Sequence, residues 1–295
     1  MTLLQSCLID VLKPEKGVFP YYELFLSRYS LITVTAIVSQ CSLMHETYEG
    51  MTEADMDRDI DGMIKGLPEG SEAKRKAYRY FCLGAHINPG ESVQENENRT
   101  FASELFTQDA QKYSLSNREM ILRGLNSSSF LNYFFLIEDS LKKIYIDLLN
   151  PCNKFIKGSE TIKICLEEII SETNIKTEFE KELYVRSKIF FDIKSLELMW
   201  SLLNLIRNQI AHTNGFYDDK AKRSLNRRIE SLAQHYIGND DCLVSINMLL
   251  DVFEKHEEEV NNTGYLVVDD SLENIIRNIS IFIMESLYAC NRQDC

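Results

Sequence analysis

The sequence predicts an all-α protein: an antiparallel helical bundle preceded by a helical N-terminal subdomain. Three observations carry this. Only 5 prolines and 12 glycines interrupt 295 residues, so long stretches are free of helix breakers. Apolar residues recur at i, i+3, i+4 spacing through most of the chain, and no convincing period-two strand pattern or internal repeat is present. Turn-type clusters (Asn150-Pro151, Asn214-Gly215, Gly238-Asn239-Asp240, Asn261 to Gly264) fall where those series stop.

In chain order, helices are expected at Tyr21 to Tyr48, Thr52 to Leu67, Ser71 to Leu83 and Phe101 to Tyr113, with Asn88 to Arg99 as a polar connector. These make residues 1–113 a subdomain whose acidic run, Glu46 to Asp61, holds seven carboxylates against Arg58. That run reads first as a solvated helix surface and second as a face for a basic partner. Residues 114–295 form the bundle. Its first helix, Ser127 to Leu149, carries the stripe Phe130, Tyr133, Phe134, Ile137, Leu141, Ile144, Tyr145 and Leu148, which must be buried against partners. Ser127 to Ser129 offer N-caps and Asn150-Pro151 a stop. Further helices follow at Glu160 to Thr173, Glu178 to Thr213 with one break, Asp218 to Tyr236, Cys242 to Val260 and Ser271 to Ala289. The last repeats the stripe through Leu272, Ile275, Ile276, Ile279, Phe282, Ile283 and Leu287.

The formal charge is −13, from 45 acidic against 32 basic side chains, which argues against a protein that coats nucleic acid non-specifically. The most apolar N-terminal run, Tyr29 to Met44, is broken by polar residues and falls short of the roughly 20 apolar residues a bilayer requires. Met1 to Lys16 lacks the basic cluster and cleavage site of a secretory signal. A cytoplasmic chain without a membrane role is expected. Eight scattered cysteines with no C-x-x-C pair read as reduced, mostly buried thiols. Cys41 and His45 share a helix face, yet two ligands make no zinc site. Neither a metal nor a cofactor is expected, since phosphate loops, nucleophile elbows and zincin motifs are missing from the sequence.

Among five histidines, His45 and His256 read as structural or surface residues, while His212 closes the apolar helix that contains Trp200 and Arg207. At about 100° per residue Arg207 falls on the face of Leu196, Trp200, Leu203 and Ile210. A charge in that seam needs a partner, and Glu138, with Asp139 second, is the candidate carboxylate. An ion pair that merely locks two helices and a functional arginine are both open at this point. Asn214-Gly215 ends the helix, which leaves His212 in its last turn, where the helix dipole favours imidazolium. A histidine biased toward charge beside an arginine suits metal-independent cleavage of a phosphodiester. Lys220, Lys222, Arg223, Arg227 and Arg228 follow within nine residues, the densest basic cluster in an acidic chain, and are candidate RNA contacts.

Arg207-Asn208-x-x-x-His212 at the end of an apolar helix resembles the HEPN family of helical ribonucleases, whose motif is Arg, four to six residues, then His, commonly with a polar residue after the Arg. Arg79 to His86 and Arg228 to His235 also fit the spacing, but Tyr80 and Ile229 follow those arginines. The resemblance covers about residues 125 to 290. It implies a HEPN-like bundle, Arg207 and His212 as catalytic residues with Asn208 positioning the phosphate or the histidine, and Glu138 orienting Arg207. It further implies a homodimer with a composite cleft, tRNA or mRNA as substrate, 2′,3′-cyclic phosphate ends, and a toxin or antiphage role with an antitoxin or regulatory partner. The subgroup paired with nucleotidyltransferase antitoxins has Tyr two residues after the His, where this chain has Asn214; Tyr217 is three further on. Leu198, Leu202 and Leu205 are expected at the two-fold interface or against the N-terminal subdomain.

Overall fold

Side chains buried at every position from Leu272 to Tyr288 except Arg277 place the last helix at the centre of the core, not at its edge. A computed structural model describes residues 11–48, 117–151, 155–239 and 242–293. Within them the helices are α1 (Pro20–Tyr48), α2 (Asn117–Leu149), α3 (Glu167–Glu172), α4 (Lys176–Ser187), α5 (Ile193–Thr213), α6 (Asp219–His235), α7 (Leu243–Thr263) and α8 (Asp270–Gln293), with a 3-10 turn (Gly158–Glu160) and a π-helical turn (Thr161–Leu166) before α3. No strand is present among the described residues, only an isolated antiparallel bridge between Phe216 and Tyr265. The all-α expectation holds there. The helices and the connector expected between residues 49 and 116 lie outside the described residues, as does most of the acidic run.

Contacts divide the chain into two units, Met1–Ala36 with Asn126–Cys295, and Ile37–Leu125. Of the second unit the description covers the last turns of α1 and the first turns of α2, both helical. The first unit thus contains the start of α1, a helix expected from the sequence to belong to the subdomain of residues 1–113. The reason is aromatic packing. Tyr22 and Phe25 are at most 1% exposed, Tyr22 stacks on Tyr288 of α8 at 4.5 Å, and Tyr29 lies 5.4 Å from Tyr133 of α2. Each such ring removed from water is worth about 2 kcal/mol, which a surface helix would forgo. Thr33 Oγ1 also lies 2.7 Å from the Tyr133 hydroxyl.

The stripe on α2 is buried as expected from Phe130 to Tyr145, while Leu148 is 46% exposed. That helix starts ten residues before Ser127, so the serines expected as caps lie inside it. Asn126, next to them, donates to Asp270 at the start of α8 at 2.7 Å. Around α8 the burial extends to Glu273, Asn274, Asn278, Glu285 and Ser286, so a single apolar stripe understates it. Glu285 is stabilised by the Leu12 amide at 2.7 Å, the Tyr22 hydroxyl at 3.1 Å and Arg186 at 3.4 Å. The expected break in the segment from Glu178 to Thr213 is Lys188, left-handed at φ 56°. Cys165, Cys242 and Cys290 are buried, and no described helix is long and apolar enough to cross a membrane.

Candidate functional site

Helix α5 begins at a side-chain cap. Asp192 is extended (φ −149°, ψ 169°) and accepts the Ser195 amide at 2.7 Å, satisfying one of the donors that every helix start leaves open. The same carboxylate lies 3.1 Å from His235 Nε2 at the end of α6, so both helices are tied at this end. Leu196, Trp200 and Leu203 form the buried face expected from periodicity. Trp200 stacks on Phe134 of α2 at 4.2 Å, and its indole N–H donates to Gly158 O at 2.8 Å.

Arg207 continues that face. Its guanidinium lies 4.8 Å from the Phe135 ring and 5.6 Å from the Phe134 ring, a cation–π environment. Nη1 donates to Asn208 Oδ1 at 2.7 Å, and Nε is buried without a hydrogen-bond partner.

The expected carboxylate is elsewhere. Glu138 is buried, but it pairs with Lys142 one turn along α2, and its Oε2 is packed so close to Gly158 that a β-carbon there would stand 2.8 Å away. A pair at i, i+4 on one helix forms without crossing to a neighbour, and the two phenylalanine rings occupy the approach to Arg207. Asp139 is exposed and lines a small crevice with Arg28 and Lys143 instead. Among the described residues Glu138 is thus bonded to Lys142, and Arg207 to Asn208.

His212 sits in the last turn of α5, exposed. On a straight helix it is about 140° round and about 7.5 Å along from Arg207. Asn208, one turn before His212, occupies the sector between them. Guanidinium, amide and imidazole thus follow one flank of α5, with Asn208 bonded to Arg207.

Beyond His212 the chain reverses through left-handed Asn214 (φ 51°) and Gly215 (φ 85°), with the Gly215 amide donating to Gln209 O at 2.9 Å. Gly215 O accepts the Leu266 amide at 2.9 Å, and a β-carbon on Gly215 would stand 2.5 Å from Leu266 O. Phe216 bridges to Tyr265 there. Tyr217 is 1% exposed, and burial raises its hydroxyl above the usual tyrosine range.

The basic cluster separates on α6, which Asp218 caps through the Ala221 amide at 2.7 Å. Lys220, Arg223 and Arg227 are exposed, and Lys222 is half-buried with Nζ 3.4 Å from Asn261 O. Arg228 turns inward: Nη1 donates to Ser201 O at 2.6 Å and also contacts the Ser201 hydroxyl, while Nε lies 3.3 Å from Ser224 Oγ. Burial, and then the charge of Arg227, lowers its guanidinium below the usual arginine value. Arg228 is therefore a tie between α6 and α5, not a surface cation. Leu202 is fully buried, Leu205 is 9% exposed and Leu198 packs on the core, so the strip expected at a two-fold interface is largely spent within the chain, where α5 packs on α6.

Compared with family models, curated proteins and solved structures, the chain matches none.

Two residues at the site are marked by neither motif nor helical period. Phe135 lay at the outer edge of the α2 stripe, and the doubled Phe134-Phe135 was the available signal that aromatic surface extends toward Arg207. Phe216 follows the Asn-Gly stop, a position where an aromatic side chain has no helical face to join and only tertiary pairing fixes it. Among the described residues no group of three or more His, Cys, Asp or Glu is placed to hold a metal ion.

Proposed function

We propose that the chain is an endoribonuclease of the HEPN type, in which Arg207, Asn208 and His212 act on a phosphodiester. One observation carries the reading. A half-buried guanidinium with no carboxylate beside it among the described residues, held by an amide oxygen and two aromatic faces, is a poor ion-pair lock and a good anion site, because its charge remains to be neutralised. The reading of Arg207 as a structural ion-pair member loses its support, since neither Glu138 nor Asp139 is its partner.

In the reaction, a His212 imidazole takes the proton of an RNA 2′-hydroxyl. The 2′-oxygen attacks the adjacent phosphorus, a new P–O2′ bond forms and the P–O5′ bond breaks. The leaving 5′-oxygen takes its proton from a second imidazole in its protonated form, His212 of the partner subunit, giving a 2′,3′-cyclic phosphate and a 5′-hydroxyl end. Arg207 neutralises the charge that grows on the non-bridging oxygens, an interaction of the kind whose removal costs roughly 100- to 1,000-fold in rate. Because Arg207 and His212 start about 140° apart on one helix, a homodimer that brings two copies of the flank together supplies an acid and a base at once. A toxin or antiphage role, with tRNA or mRNA as substrate and an antitoxin partner, rests on the resemblance of the motif.

Purified protein is expected to cleave RNA with EDTA present, and His212→Ala to abolish cleavage while the fold and oligomeric state persist. Cleavage that survives His212→Ala, or that needs added metal, overturns the reading. A second reading, a non-catalytic HEPN-like module that binds a nucleotide or a protein partner, is favoured by one feature: His212 makes no hydrogen bond among the described residues that would fix its tautomer. It predicts phosphate binding at Arg207 with no cleavage under any condition.

A further inference from the structure

Four residues past His212, Phe216 lines an open groove of about 350 Å³ between the end of α5 and the start of α6. Leu205 and Ala221 give the groove apolar walls, while Gln209, Asp218 and Lys220 give it polar edges. Phe216 is 43% exposed, yet it is not loose. Its backbone is bridged to Tyr265, its ring centroid lies 5.2 Å from the Tyr265 ring, and Gly215 and Tyr217 on either side are hydrogen-bonded to Leu266 and Gly264. An aromatic face held rigidly toward solvent loses little entropy when something flat is laid on it.

The groups around that face are those a nucleobase and its phosphate require. Gln209 has its side-chain oxygen 3.1 Å from the Thr213 hydroxyl, which leaves the amide NH₂ to donate to a base carbonyl or ring nitrogen. Lys220 is exposed, and Arg223 and Arg227 continue from it at i+3 and i+7, a cationic stripe about 10 Å long leading away from the groove. Asp218, committed through Oδ1 to capping α6, repels phosphate from the groove itself and leaves it to the Lys220 edge.

We propose that this groove is a nucleobase subsite for single-stranded RNA: one unpaired base stacks on Phe216, and the phosphates beside it follow Lys220, Arg223 and Arg227. This rests on the ribonuclease reading and names its substrate class. A base held in a duplex has its faces covered by its neighbours and cannot lie on a protein ring, whereas stacking on an aromatic side chain is the common device for unpaired strands.

The test is fluorescence anisotropy of a labelled, 2′-O-methylated single-stranded oligoribonucleotide titrated with the full chain. Methylation removes the attacking hydroxyl, so the readout does not depend on catalysis. Phe216→Leu keeps apolar bulk against Tyr265 but lacks the flat face, and it is expected to weaken binding about tenfold. Phe216→Trp is expected to restore it, and binding of a duplex of the same sequence to change little. Unchanged binding of the single strand by Phe216→Leu, or an equal loss for the duplex, overturns the subsite. So does a change of oligomeric state in Phe216→Leu with probe binding intact, which assigns the face to a second copy of the chain. The two readings fail separately. Phe216-dependent binding in a chain that never cleaves RNA defeats the nuclease alone, and His212-dependent cleavage with Phe216-independent binding defeats the subsite alone.

Discussion

The Arg207 guanidinium donates to the side-chain oxygen of Asn208, its neighbour in sequence, at 2.7 Å. Adjacent residues on a helix are about 100° apart, so this bond draws the guanidinium around α5 toward the His212 side. A neutral acceptor does this without cancelling the charge. Asn208→Asp turns the contact into an ion pair, and RNA binding and cleavage are both expected to fall further than in Asn208→Ala. The Ala variant loses a hydrogen bond to a charged group worth about 1.5–3 kcal/mol but leaves the arginine's charge unpaired. Equal activity in the two variants, measured as kcat/KM on one RNA, defeats this account of Asn208.

Gly215 makes the turn that follows His212. Its φ of 85° lies in the region that favours glycine, and a β-carbon would meet Leu266 O at 2.5 Å. The Leu266 amide is itself bonded to Gly215 O, so the two backbone segments cannot easily move apart. Gly215→Ala is expected to lower stability by about 2–3 kcal/mol from backbone strain and the close contact. Denaturant unfolding checks this, with Gly238→Ala as the comparison: that glycine has the same φ but open space around it.

Helix α1 is needed by the unit that holds the site. Removal of residues 1–112 takes away Tyr22 and Phe25 from the core and both the Leu12 amide and the Tyr22 hydroxyl from Glu285. Glu285, 4% exposed, then keeps Arg186 and loses two donors, and unmade hydrogen bonds at a buried charge cost more than made ones gain. The truncated chain is expected to be insoluble or molten by near-ultraviolet circular dichroism, and a cooperative thermal transition in it contradicts this.

Much of this was legible in the chain because local rules sufficed. The α2 stripe from Phe130 to Tyr145, the C-terminal end of α5, the bounds of α6, and the placement of Arg207 on the Trp200 face follow from a 3.6-residue period and from Asn-Gly or Pro stops. The partner of Arg207 was not legible, since it depends on which rings of α2 reach α5; Glu138 satisfied its charge with Lys142 on its own helix first. Nor was the membership of α1, whose aromatic residues look alike whether they face α8 or another subdomain.

Asp269 makes stability depend on acid. It opens α8, accepting the Ser271 and Leu272 amides at 3.0 Å, and lies 3.3 Å from His256 Nε2. Burial alone would raise its pKa, but the hydrogen bond and charge of His256 and the Leu272 amide outweigh it and bring the carboxyl from 3.8 down to about 2. A carboxylate depressed in the folded state contributes stability above its unfolded pKa, and the contribution is lost as pH falls through the folded one. Wild-type stability is expected to drop between about pH 4 and pH 2. Asp269→Ala is expected to be about 1–2 kcal/mol less stable at neutral pH and to show a shallower acid limb.

The basic cluster on α6 should split into two behaviours, because the same residue types stand in two environments. Arg228 is bonded to Ser201 and Ser224, and its removal takes away the bond that ties α6 to the Ser201 backbone of α5, so Arg228→Ala is expected to lower the melting temperature. Lys220, Arg223 and Arg227 are exposed, and their loss is expected to leave the melting temperature unchanged. If they follow the phosphates of a single strand, each replacement by alanine also reduces the slope of log K against log salt by about 0.7. Arg228→Ala does not reduce it except through unfolding. A salt slope that falls equally for all four, with equal melting temperatures, contradicts the division that the Ser201 contact makes.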